Sequence, residues 1–161
     1  MEPLWHEDRW HIEINWSRPV EYKRLLEEGS PHDEQAYLYL ISARFGNKSS
    51  KTIYVGKAFR QSVSKRLSQP DHKLRHIEFL ENYPRHRFYV SHGLVTVHEG
   101  KPTQKRIDDI ERILIYANDP QHAHNVQNFW QHKVTTPYWI DNRGSRCTLP
   151  KTIALGIFAQ Y

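Results

Sequence analysis

Cysteine is nearly absent: the chain has one, Cys147, among 161 residues. A single thiol excludes an internal disulfide and a zinc ribbon, and it suits a reducing compartment. Long hydrophobic runs are also missing, because the longest, Tyr37–Ile41 and Ile113–Ala117, fall far short of the roughly 20 residues that span a bilayer. The first ten residues hold three acids and no apolar segment, unlike a signal peptide. We therefore expect a cytoplasmic, intracellular protein that does not enter membranes.

The sequence motifs of several common enzyme classes are absent as well. The seven glycines are scattered, so no glycine-rich loop can cradle a nucleotide phosphate, and no Gly-x-Ser-x-Gly elbow is present. The eleven histidines do not form the His-Glu-x-x-His pattern of zinc peptidases, and we expect most of them at the surface or in hydrogen bonds. Cys147 has no catalytic partner near it in sequence, so we expect it to pack rather than react.

The charge of the chain is unevenly distributed. Its 23 Lys and Arg against 18 Asp and Glu give a net charge of +5. Residues 1–36 hold 4 basic and 9 acidic groups, whereas residues 37–161 hold 19 basic and 9 acidic groups. Basic density peaks in Lys48–Arg75, with eight cations and one acid. Such a field favours a polyanion such as nucleic acid, although a solvated basic surface would give the same composition.

Two regions can be distinguished along the chain. Residues 1–34 are predicted to form an acidic N-terminal extension, and residues 35–161 the main domain. In the extension, Trp10–Trp16 alternates apolar with polar residues and predicts a half-buried strand. A short helix from Pro19 to Glu28, stopped by Gly29, should follow it.

The main domain alternates strand-like and helix-like patterns, which predicts an α+β (mixed α/β) fold with a small, mainly antiparallel sheet flanked by helices. In the second of its helices, Leu74, Ile77 and Leu80 make an apolar stripe. In chain order, the predicted elements are strands at 36–41 and 52–55, helices at 62–67 and 73–83, a strand at 87–97, a helix at 102–118 and a strand at 153–159.

Five residues of the main domain have side chains suited to phosphodiester hydrolysis. Such hydrolysis needs a carboxylate that holds a metal ion, a cation that faces the charge developing on the phosphate, and a hydroxyl that orients or activates water. Each also has an ordinary alternative, since tyrosines pack in cores and exposed charges are merely solvated. The five residues are Tyr39, Tyr54, Lys57, Arg66 and Glu111.

The order of these residues resembles that of the GIY-YIG nuclease superfamily, over about residues 36–128. The similarity is to the nuclease module of the bacterial excision-repair incision subunit and to small restriction-type endonucleases. The segments that resemble the family are Tyr37–Ile41, Ile53–Ala58, Val63–Leu67, Ile110–Tyr116 and His124–Val126.

The resemblance implies a GIY-YIG-like fold and a metal-dependent endonuclease acting on DNA in repair or restriction. In the family pattern, Tyr39 matches the residue that acts as general base or its relay, and Tyr54 the residue that orients water or phosphate. Arg66 matches the arginine that faces the scissile phosphate. Glu111 matches the carboxylate that binds Mg²⁺, with Mn²⁺ as an alternative, and Asn125 a structural or phosphate-side asparagine.

Lys57 follows the second tripeptide, as in several members, and a positive charge beside a tyrosine would favour its phenolate by lowering the pKa. The chain departs from the family at Tyr37, which replaces the first glycine. It also has long intervals before Arg66 and before Asn125. Arg60 and Asn128 are therefore competing assignments for the arginine and the asparagine.

Some restriction-type members carry a histidine after the arginine, a place that His72 or His76 could take if they are not ordinary helix-surface residues. A homodimer is a further expectation, with the apolar Trp10–Trp16 strand as its contact unless these residues are core. A nucleic-acid-binding module without catalysis and a nuclease that cuts RNA remain alternatives. The residues predicted to contact nucleic acid are Lys48, Lys51, Arg60, Lys65, Lys73 and Arg75.

Overall fold

The computed structural model describes residues 10–29, 36–118 and 134–155, which form seven strands and four helices. The strands are β1 (Trp10–Trp16), β2 (Val20–Glu21), β3 (Ala36–Phe45), β4 (Lys51–Lys57), β5 (His86–Val97), β6 (Tyr138–Gly144) and β7 (Thr152–Leu155). The helices are α1 (Tyr22–Glu28), α2 (Val63–Leu67), α3 (Pro70–Asn82) and α4 (Gln104–Ala117). The α+β class is therefore confirmed.

All seven strands belong to one sheet, in the order β4-β3-β5-β1-β6-β7, with β2 paired to β5 beside this path. Every pairing is antiparallel except that of β1 with β6. The sheet is thus mixed but mainly antiparallel. Strand β4 lies at one edge, and this position matters for the site described below.

Strand β1 is confirmed, and it lies in the interior of the sheet between β5 and β6. Ile12, Ile14 and Trp16 are buried in the core. The boundary drawn at residue 34 therefore falls between strands of a single sheet. Because both edges of β1 are already paired and these side chains are covered, this strand cannot provide the dimer contact expected of it.

Side chains of β3 alternate between two faces of the sheet and so build two apolar clusters. Leu38 and Leu40 pack in the cluster that contains the buried side of α4. Tyr39 and Ile41 pack in the other cluster, with residues of α1, α2 and α3. The sheet is therefore flanked by helices on both faces.

The apolar stripe of α3 does not face the core. Leu74, Ile77 and Leu80 are 66%, 52% and 47% exposed, so the stripe they form is not core. The helix instead buries His72 and Phe79. The aromatic residues of the sheet decide the orientation, because His72 hydrogen-bonds Tyr39 and Phe79 packs against Tyr54 and Phe88.

Helix boundaries shift by a few residues from the predicted ones. Helix α1 begins at Tyr22 rather than Pro19, because Val20 and Glu21 pair with β5 first. It ends, as predicted, at Gly29, whose φ of 77° is accessible mainly to glycine. Helix α4 begins after Thr103, whose side chain accepts a hydrogen bond from the backbone N–H of Arg106.

Strand β6 was not predicted, and β7 covers only the first half of the predicted 153–159 strand, whose residues from 156 on lie outside the described ranges. Polar residues in β6 conceal the strand pattern, yet Asn142 is buried and accepts a hydrogen bond from Trp16 Nε1 at 3.0 Å. Within the described ranges, no helix has the length and apolar content needed to cross a membrane.

Candidate active site

Tyr39 and Tyr54 lie side by side on β3 and β4, with ring centroids 6.0 Å apart and planes inclined by 28°. Tyr39 pairs in register with Gly56. A Cβ on Gly56 would lie 2.4 Å from the Tyr39 hydroxyl and 2.9 Å from Cε1 of Tyr54, far inside contact distance. Only glycine at this position lets both phenol rings lie against the strand, which gives the Tyr-x-Gly tripeptide a steric reason.

The hydroxyl of Tyr39 is bonded to Nε2 of His72 at 2.7 Å, and both residues are almost fully buried. Burial lowers the pKa of His72 to about 4, with a further lowering by the positive charge of Arg66. Burial also raises the pKa of Tyr39 well above its ordinary value. At neutral pH a neutral imidazole therefore contacts a neutral phenol, within the distance over which a proton can transfer.

His72 is thus a component of the site and not a helix-surface residue. It shares the spacing His-x-x-x-His with His76 on α3, but the two rings have different neighbours. His72 packs edge-on against Tyr39 and Tyr54, whereas His76 stacks on Tyr22 with centroids 4.2 Å apart. The sequence offered both as alternatives, and only tertiary packing separates them.

Arg66 is placed by the short helix α2, one turn after its N-cap Ser62. Its guanidinium donates two hydrogen bonds to Asp71, at 3.0 and 3.1 Å, and one to the Gln69 side chain. Its side chain is only 23% exposed. The pair is bidentate, so Arg66 is held in one orientation and its charge lowers the pKa of Asp71.

Lys57, at the end of β4, connects to two acids of α4. Its ammonium donates to Asp108 and lies 3.5 Å from Oε2 of Glu111. Glu111 is buried, which raises the pKa of its carboxyl, while the charge of Lys57 acts in the opposite direction. Asp108 was not among the predicted site residues, because nothing in its spacing distinguishes it from other acids on the helix.

The structure brings five of the six predicted catalytic residues together. Since β4 is an edge strand, groups from both faces of the sheet can meet around its end. Burial is the main cause of the raised pKa of Tyr39 and of Tyr54; the negative charge of Glu111 adds to it and the positive charge of Arg66 opposes it, so both charged groups are close enough to act on the phenols. The residues brought together are Tyr39, Tyr54, Lys57, Arg66 and Glu111.

The predictions for the asparagine and for Lys57 are not confirmed by the structure. Asn125 and its competitor Asn128 lie outside the described residues. Lys57 is engaged by the two acids of α4. Burial raises the pKa of both tyrosines, and the cations that act in the opposite direction are Arg66 and, for Tyr54, chiefly Arg75, whose guanidinium lies 4.6 Å from the centre of the Tyr54 ring.

The residues predicted to contact nucleic acid occupy different places. Arg75 is part of the site. Arg60 and Lys65 are exposed near it, Arg60 with a φ of 59° and its guanidinium 5.1 Å from the Phe59 ring. Lys51 begins β4, about 20 Å from Lys57 by the rise of a seven-residue strand, and Lys48 lies in the turn before it. The remaining residue, exposed on the outer face of α3, is Lys73.

The described residues contain no group of three or more His, Cys, Asp or Glu side chains placed to hold a metal ion. The acids around the site are Glu111, which acts on both phenols, Asp108, which is bonded to Lys57, and Asp71, which is bonded to Arg66. Comparisons of the chain with known protein families, with curated proteins and with solved structures find no match.

Proposed function

We propose that this chain is a GIY-YIG-type endonuclease that hydrolyses DNA phosphodiesters with a divalent metal ion. The observation that carries the proposal is the cluster around the end of β4. A phenol bonded to a neutral imidazole lies beside a second phenol, a fixed arginine and a buried carboxylate. These are the side chains that hydrolysis of a phosphodiester requires.

The donor set suits Mg²⁺, which proteins often bind through one or two carboxylates together with substrate phosphates and water. Glu111 would hold the ion, with Asp108 on the same helix as a second acid. Burial raises the pKa of Glu111, and a bound cation would act in the opposite direction by favouring the ionised carboxylate. When bound, the ion would stabilise negative charge on the phosphate.

The protein side chains have separate tasks in this proposal. Tyr39 would accept a proton from the attacking water while its own phenol proton passes to Nε2 of His72, since these two atoms are hydrogen-bonded at 2.7 Å. Tyr54 orients the water or the phosphate. Arg66 faces the charge that grows on the phosphate, so the phosphate must replace Asp71 as the partner of its guanidinium.

Cleavage of supercoiled plasmid tests the proposal. The wild-type chain is incubated with Mg²⁺ or Mn²⁺ and with EDTA, beside Glu111→Gln and a control, Glu27→Gln, at an exposed position of α1. We expect nicking only with metal, a loss of about 100-fold or more in Glu111→Gln, and wild-type rates in Glu27→Gln. Binding of the plasmid without cleavage under any metal would contradict the proposal and support the non-catalytic alternative.

A further inference from the structure

The outer face of α3 carries three large aliphatic side chains that the part of the chain described by the structure leaves exposed. Leu74, Ile77 and Leu80 are each about half exposed or more, and residues three apart on a helix share a face. We call these three residues the α3 stripe. The opposite face of the same helix packs against the sheet, where it buries His72 and Phe79. Contiguous exposed apolar surface on a folded protein is a feature of interaction sites.

Charges at the two ends of the stripe are opposite and equally spaced from its centre. Lys73 precedes Ile77 by four residues and Glu81 follows it by four, so both lie on the side of the stripe. Both are exposed, and neither has an ion-pair partner within the described residues. The face is therefore symmetric about Ile77 in the spacing of its residues. A leucine lies three residues away on each side, and four residues away lie a cation on one side and an anion on the other.

Such a pattern is complementary to itself when the direction of the helix is inverted. Two copies related by a two-fold axis at Ile77 would place α3 antiparallel to its mate. Leu74 of one copy would then lie at the level of Leu80 of the other, and Lys73 at the level of Glu81. The two-fold axis would form each of these pairs twice. A purely acidic or purely basic partner would match only one end of the face.

We propose that the α3 stripe binds a second copy of this chain, in an antiparallel helix pair centred on Ile77. The proposal rests on the exposure of the three aliphatic residues and on the mirrored charges, and it is independent of the proposed nuclease function. It moves the expected dimer contact from β1, which is buried in the sheet, to a helix whose outer face is open.

Sedimentation equilibrium of the full chain tests the proposal, from about 1 to about 300 µM, because a small interface of one helix pair associates weakly. We expect the wild type to show a monomer–dimer equilibrium. Ile77→Glu should raise the dissociation constant at least about tenfold, while Tyr116→Glu, at an exposed position of α4, should leave it unchanged. A wild type that stays monomeric throughout, or a dimer indifferent to Ile77→Glu, would overturn the proposal.

Reversing the two charges, singly and together, tests the antiparallel arrangement of the helices. Lys73→Glu and Glu81→Lys should each weaken the dimer by about threefold to tenfold, the scale of exposed ion pairs counted twice by symmetry. The double variant should regain an affinity within about twofold of the wild type, since the pairs are restored in reverse. Both positions are exposed, so circular dichroism should show unchanged folding. No recovery in the double variant would refute the antiparallel arrangement.

Discussion

Gly56 contributes to the site by having no side chain. The ring and hydroxyl of Tyr39 occupy the space that a Cβ at this position would take. The same close approach holds Tyr39 beside Tyr54 and directs its hydroxyl to His72. A single backbone position thus determines where the phenol group lies.

Replacing this glycine should disturb the site more than replacing a glycine of a loop. We expect Gly56→Ala to lower the free energy of unfolding by about 1–3 kcal/mol, as overpacking of a core does. Gly46→Ala is the control, because Gly46 has a positive φ but open space around it, and should cost only about 1 kcal/mol. Urea denaturation measures both. An equal cost at the two positions would argue against a tight contact between Gly56 and Tyr39.

His72 should make stability depend on pH. Its pKa is about 4 in the folded protein, against an ordinary value of 6.5, so the unfolded chain binds the proton more readily. Stability therefore decreases as pH falls from about 6.5 to about 4, by up to about 3 kcal/mol from this residue, and no further below that range.

The variant His72→Gln removes the titrating group and keeps a polar side chain near Tyr39. Comparing unfolding free energies of wild type and variant between pH 4 and pH 7 isolates the contribution of His72, because other groups titrate in both proteins. We expect a flatter pH dependence in the variant. Two parallel curves would show that His72 is accessible to protons in the folded state.

At the scale of elements, the site depends on two helices of unequal length. Helix α2 has five residues and carries Arg66 one turn after its N-cap Ser62. Helix α4 has 14 residues, is anchored by several buried side chains, and carries Glu111 two turns after its N-cap Thr103. A short helix relies on its cap more than a long, well-packed one.

Removing each N-cap tests this difference. Ser62→Ala and Thr103→Ala should each lower stability by about 1 kcal/mol, the usual value of an N-cap hydroxyl. We expect Ser62→Ala to reduce plasmid cleavage more than Thr103→Ala does, because the orientation of Arg66 depends on a single helical turn. Cleavage rates of the two variants are measured at the same metal and DNA concentrations. Equal losses of rate would show that α2 does not depend on its N-cap more than α4 does.

The elements differ in how far they could be predicted. Strands β3 and β4 and helix α4 follow their hydrophobic patterns closely, because the two strands are apolar on both faces and the helix buries one continuous apolar face. Strand β6 could not be predicted, since its buried Asn142 is stabilised by hydrogen bonds to Trp16 and to the Pro150 carbonyl. The buried face of α3 could not be read from its apolar stripe, because the polar His72 and the aromatic Phe79 are the side chains that this helix buries.

The site shows the same division. Tyr39, Tyr54, Arg66 and Glu111 stood out because their order in the chain resembles a known pattern. Residues that contribute through one specific contact were not predicted. Asp71 accepts hydrogen bonds from Arg66, and Asp108 accepts one from Lys57. Such pairs form between residues of different or consecutive elements, and their geometry depends on packing that no periodicity encodes.

At the scale of the whole molecule, charge should control the binding of nucleic acid. The cations near the site include Arg60, Lys65 and Arg75, and contacts with phosphates release counterions. With EDTA present to prevent cleavage, the affinity for a short DNA duplex should fall by roughly 100-fold or more between about 50 and about 200 mM salt.

Fluorescence anisotropy of a labelled duplex measures this dependence. Lys65→Ala should weaken binding and reduce the slope of log affinity against log salt by about 1, as expected for one lost phosphate contact. Lys23→Ala, in the acidic N-terminal region, is the matched control and should leave the slope unchanged. An affinity that does not vary with salt would show that the basic surface does not bind the DNA backbone.

The removal of one oxygen atom tests the central claim most directly. Tyr39→Phe keeps the ring that packs against Gly56 and deletes the hydroxyl bonded to His72. We predict that cleavage of supercoiled plasmid with Mg²⁺ falls by about 100-fold or more, the scale of a lost general-base contribution, while DNA binding in EDTA is unchanged. Cleavage by Tyr39→Phe at the wild-type rate would contradict the account, because the buried hydroxyl would then have no part in the reaction.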